Sequence, residues 1–148
     1  MKCSVSNDRS GLQHLGTARL ADHPAHSRTI TAVQSEMQAG IKLVFPSLVA
    51  TEFRHVITDE RRFAPALTMT EALDWMRDLL VNPSIRLLEP NQASMAQTIL
   101  WMRQYNLWRK RVLDTHLAAI LHTNGVRRLL TANPSDFKIF EVIEIVTP

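Results

Sequence analysis

A single cysteine, Cys3, in a chain of 148 residues leaves no second thiol for an internal disulfide. Stability must then come from packing, and the expected compartment is the reducing cytoplasm. No stretch approaches the roughly 18 uncharged apolar residues of a membrane-spanning helix. The first ten residues carry Lys2, Asp8 and Arg9 and no apolar core of a secretory signal, so neither membrane insertion nor secretion is expected. No repeat, linker or long charge run divides the chain, and its length suits one domain over 1–148. Charge of one sign is not in large excess either: 17 Lys plus Arg against 14 Asp plus Glu leave a formal +3 and a pI near 9.5. That balance permits a polyanionic partner without demanding one. What is present is ordinary globular usage, 45% hydrophobic and 21% charged, which sets aside disorder and collagen-like readings.

Residues 1–20 are rich in polar residues and show only a faint apolar pattern through Val5, Leu12 and Leu15. Between 23 and 39 the spacing of Ile30, Val33 and Met37 suits one helical face, and Gly40 stands where that helix would stop. Leu43-Val44-Phe45 reads as a short buried strand, and Pro46 opens a helix bearing Leu48, Val49, Glu52, Phe53 and Val56. Thr68 and Glu71 have capping-box spacing ahead of a stripe formed by Leu73, Met76, Leu79 and Leu80. Asn82-Pro83 ends that helix. Ile85 to Leu88 predicts a strand, and a helix from about Gln92 to Gln104 aligns Met95, Ile99 and Met102. A helix from near Asp114 to Asn124 ends at Gly125; Leu129-Leu130 and Val142 to Val146 supply further strands. Strands alternating with helices predict an α/β fold, a three-layer α/β/α sandwich with a mainly parallel sheet of about five strands, the fifth from the N-terminal segment. Ligands of such sheets bind at the carboxyl ends of the strands.

Glu52 lies on the same helical arc as Leu48 and Val49, where a carboxylate needs a partner. It either reaches solvent or an Arg at the margin of that arc, or is a ligand held in the crevice. Asp114 precedes an apolar helical run, so it is either an N-cap or a functional acid. Leu129 to Phe137 is a strand leading into the oxygen-rich turn Asn133-Pro134-Ser135-Asp136, either a plain Asn-Pro turn or a ligand set. The segment from Trp101 to Arg111 interleaves cations with aromatics. It is either a solvated loop with Trp101 and Trp108 in the core, or an RNA contact through Trp108, Arg109 and Arg111.

Other chemistries lack their residues. His23 and His26 have no Cys or carboxylate at ligand spacing, and His116 and His122, six apart, point to different helix faces, which sets zinc aside. There is no Gly-x-Ser-x-Gly turn for a nucleophilic serine, and no helix-turn-helix signal for DNA.

Three segments in order, 45–53, 110–119 and 129–137, together resemble the PIN-domain ribonucleases, and within them the VapC-type toxins of bacterial toxin-antitoxin pairs. Asp22-His23-Pro24-Ala25-His26 also looks like a stretch common in that family, and the resemblance covers about residues 22–148. It implies a metal-dependent endoribonuclease with Glu52, Asp114 and Asp136 as catalytic acids, and Asp8, Glu52, Asp114, Asn133 and Asp136 holding one or two Mg²⁺ or Mn²⁺ ions. Hard divalent ions take oxygen ligands, which agrees with this set. It also implies an RNA substrate, a cognate antitoxin and a homodimer, the last in keeping with an apolar surplus at Met69, Trp75 and Met76. Residues 1–21 depart from the family, whose first strand is apolar and ends in Asp followed by Thr or Ser; only Asp8-Arg9-Ser10 can be laid on that motif. The second expectation is therefore a catalytically impaired module that binds RNA or an antitoxin.

Overall fold

The structure is a computed structural model, and it describes residues 2–6, 35, 38, 42–50, 58, 61, 68–81, 83, 85–131 and 133–147. The chain is α/β. Its elements are β1 (Lys2–Ser6), β2 (Lys42–Pro46), α1 (Met69–Val81), β3 (Ile85–Leu88), α2 (Gln92–Gln104), α3 (Val112–Thr123), β4 (Arg128–Thr131) and β5 (Glu144–Val146), with 3₁₀ turns at Arg109–Arg111 and Pro134–Asp136. Residues 47–50 are helical directly after β2, so Pro46 closes the strand rather than opening the helix. Ser35 and Gln38, from the stretch expected to be helical over 23–39, are helical and exposed.

The strands run in the order β3-β2-β1-β4-β5. β2 pairs with β3, and β4 with β5, in parallel. β1 is antiparallel to both β2 and β4. The expectation of a mainly parallel sheet therefore holds within the two outer pairs and fails at the centre. Alternation of strands with helices does not fix the direction of a strand whose connection is as long as the one between Ser6 and Lys42. Because β1 opposes both neighbours, β2, β3, β4 and β5 share one direction and their carboxyl ends share one edge. Ser4 faces Val44 on one side and Leu129 on the other, so Pro46 and Thr131 stand at nearly the same height on that edge.

The core is built on α3. Leu117 through Leu121 are all buried, more than one full turn, so this stretch of the helix has no solvent face. It packs with Val44, Phe45, Leu88, Val126, Leu129, Leu130, Phe137 and Phe140. Gly125 ends it with φ +74°, a conformation suited to glycine.

The capping box at Thr68 and Glu71 is formed: Thr68 N donates to Glu71 Oε2 at 2.9 Å and Glu71 N to Thr68 Oγ1 at 3.2 Å. The stripe behind it is largely open to solvent, with Leu73 and Leu80 exposed and Met76 half-buried against the core; the side chain of Leu79 lies outside the described residues. α2 spans the expected range, but its buried face is Ser94, Thr98 and Trp101, one residue out of phase with Met95, Ile99 and Met102. Small polar side chains let α2 approach α3, and hydrogen bonds offset their desolvation: Thr98 Oγ1 donates to Ser94 O at 2.7 Å and lies 2.9 Å from His116 Nδ1. No helix among the described residues is long and apolar enough to cross a membrane.

Candidate functional site

The carboxyl edge of the sheet gathers three segments. After β2 comes the helical stretch 47–50; after β3 comes Glu89; after β4 comes the turn 133–136. Ser47 Oγ donates to Glu89 Oε2 at 2.6 Å, joining the first two. Sequence reasoning passed over Glu89, although its signal was legible: it is the first acid after the apolar strand Ile85–Leu88.

The turn after β4 is anchored from below and braced within. Phe137 and Phe140 are buried, and Phe140 stacks on Trp101 with centroids 4.9 Å apart. Asn133 N donates to Thr131 Oγ1 at 3.1 Å, Ser135 Oγ to Asn133 Oδ1 at 2.9 Å, and Asn133 Nδ2 to Asp136 Oδ2. Asn133 and Asp136 thus lie together, as their spacing implied.

Arg111 joins this turn to α3. Its Nη1 donates to Asp136 Oδ1 at 3.0 Å and its Nη2 to the main-chain oxygen of the same residue. Arg111 is also the N-cap of α3, with Thr115 Oγ1 donating to its carbonyl at 2.7 Å. Asp114 is therefore not the N-cap but the third residue of the helix, half-buried in the first turn, where the positive end of the helix dipole favours a carboxylate. The Arg111–Asp136 pair holds that first turn against the Asn133–Asp136 turn. Asp136, for its part, directs its carboxylate to Arg111 and Asn133.

The basic stretch divides. Trp101 is buried, whereas Trp108 is 80% exposed at the start of the 3₁₀ turn. Arg109 and Lys110 are exposed, but Arg111 is turned inward to Asp136. Arg128 is half-buried and meets Glu144 at 3.2 Å.

The donors at this edge, Asp114, Asn133, Asp136 and Glu89, are oxygen ligands of the type Mg²⁺ or Mn²⁺ takes. They fit such an ion in kind, with Asp136 shared with Arg111. Among the described residues no group of three or more His, Cys, Asp or Glu side chains is placed to hold a metal. Glu52 and Asp8 lie outside the described residues, as do His23 and His26. β1 ends at Ser6 beside Lys42, at the edge opposite Pro46 and Thr131. In comparisons with known proteins no family model matches the chain, and no curated protein is significantly similar to it.

Proposed function

We propose that this chain is a metal-dependent endoribonuclease that cleaves RNA phosphodiester bonds as the toxin of a toxin-antitoxin pair, on a PIN-like α/β/α domain. The observation that carries the reading is the joint between α3 and the turn after β4: Arg111 brings the helix turn bearing Asp114 against Asn133 and Asp136 at the carboxyl edge of the sheet. Two stretches that resemble the family's site are thereby neighbours in space. Asp114 and Asp136, with Asn133 and with Glu52, are the residues that would hold Mg²⁺ or Mn²⁺. When bound, such an ion activates water and stabilises charge on the scissile phosphate. Trp108, with Arg109 and Lys110, offers an exposed ring and cations to an RNA strand. An antitoxin would cover this edge, and the active form would be a homodimer in the cytoplasm.

Cleavage of RNA should require Mg²⁺ or Mn²⁺ and should drop on the order of 10²-fold or more in Asp114→Asn, because ligands that act as a unit fail together. Metal-independent cleavage, or an undiminished Asp114→Asn variant, overturns the proposal.

The second reading, an impaired module that binds RNA or an antitoxin, draws on the direction of β1, which ends at the edge opposite the acidic turn. On that reading Asp8→Asn changes nothing and RNA binds without being cut.

A further inference from the structure

The acidic turn already has a resident cation. Arg111 grips Asp136 at two points, the carboxylate through Nη1 and the main-chain oxygen through Nη2, while Asn133 Nδ2 takes the other carboxylate oxygen. Both oxygens of Asp136 thus face N–H donors. The two side chains are 25% and 26% exposed, so water screens this pair less than a surface ion pair. Arg111 is nevertheless not saturated: its Nε is buried and has no hydrogen-bond partner among the described residues. A guanidinium placed only as a staple would gain by satisfying that donor as well. Its backbone sits where the 3₁₀ turn Arg109–Arg111 passes into α3, beside exposed Arg109 and Lys110.

Resting on the metal-dependent reading above, we infer that Arg111 is a built-in competitor for the divalent ion: it neutralises Asp136 when no metal is held and must release Oδ1 before that carboxylate can coordinate one. The coupling is reciprocal. Whatever Arg111 contributes by holding Asp136 is subtracted from metal binding, and metal binding loosens Arg111 to the same extent. Loss of that hold also frees the joint between α3 and the turn, so metal loading and the spacing of Asp114 from Asp136 are linked.

The test is calorimetric titration of the full chain with Mn²⁺ at fixed pH and ionic strength, with folding of each variant checked by circular dichroism. Arg111→Gln should bind Mn²⁺ about 10-fold more tightly than the wild type, within the usual range of such couplings. The gain should vanish in Arg111→Gln combined with Asp136→Asn. Arg111→Lys keeps a charge but loses the fork that reaches two oxygens at once, so its affinity should fall between the two; it carries the test if Arg111→Gln fails to fold. Equal or weaker Mn²⁺ binding in the folded single variants, or a gain that survives the double substitution, overturns the inference. If the wild type cleaves RNA with metal and Arg111→Gln gains no affinity, competition by Arg111 is refuted and the ribonuclease stands. If Arg111→Gln gains affinity and no variant cleaves RNA, the competition stands and the ribonuclease is refuted.

Discussion

Thr98 has one hydroxyl hydrogen and spends it on the Ser94 carbonyl, so in its 2.9 Å contact with His116 the imidazole Nδ1–H is the donor. That contact ties α2 to α3 at a half-buried position, and burial lowers the pKa of His116 below its ordinary 6.5. The sign follows from proton counting. Just below pH 6.5 the unfolded chain takes up the proton while the folded chain resists it, so the unfolded state holds more protons and stability falls as pH drops through that window. Urea unfolding at pH 7.5 and pH 5.5 should show the loss in the wild type and a smaller one in His116→Gln; equal losses would place the acid sensitivity elsewhere. The same scale shows what spacing could and could not disclose at the site. Asn133 and Asp136 are three residues apart, and a tight turn was bound to bring them together. Arg111 sits among Arg109, Lys110 and Trp108, so by sequence it belongs to the basic patch; its ion pair with Asp136 spans 25 residues and depends on how α3 meets β4, which no local pattern records. Glu89 carries one local sign, an acid directly after a strand, but its contact with Ser47 again rests on a non-local feature, the shared direction of β2 and β3.

Elements were legible where local chemistry decides them. Thr68 and Glu71 form the capping box their spacing announces, and Gly125 takes the positive φ that ends α3. Asn91 is an instructive failure: it caps α2 through Ser94, with Ser94 N donating to Asn91 Oδ1 at 2.9 Å and Asn91 N donating to Ser94 Oγ at 2.9 Å. A serine in the place usually held by Glu or Gln hid the reciprocal pair. Asn91→Ala should cost about 1 kcal/mol of stability, read as a lower urea midpoint with unchanged m-value; no shift would show that the cap is made up by water. Faces were harder than spans. The buried side of α2 is Ser94, Thr98 and Trp101, whereas apolar spacing picks Met95 and Ile99, which are exposed. Apolar periodicity finds the buried face only when burial is apolar, and here Ser94, Thr98 with its hydrogen bond to His116 of α3, and the Trp101 ring occupy it.

At the scale of the whole molecule, exposed Met69, Leu73, Leu80 and Val81 on α1 are an apolar surplus of the kind a second subunit covers. Light scattering at high concentration should give twice the 16.8 kDa chain mass, and a monomer there would remove the homodimer. Charge makes a separate, sharper statement. A formal +3 is too small to hold RNA by general attraction, so on the proposed function affinity would come from a local surface, for which exposed Arg109 and Lys110 beside the 80% exposed ring of Trp108 are the candidate. Contacts to phosphate and contacts to bases respond differently to salt. Arg109→Ala should weaken binding of a single-stranded RNA at low salt and flatten the plot of log affinity against log salt by a slope of about 0.7, the loss of one phosphate contact. Trp108→Ala should weaken binding by about 1–3 kcal/mol at every salt concentration and leave the slope intact, because stacking releases no counterion. Fluorescence anisotropy of a labelled oligoribonucleotide across a salt series separates the two, and a Trp108→Ala variant that binds RNA as tightly as the wild type would take the RNA surface away from this turn.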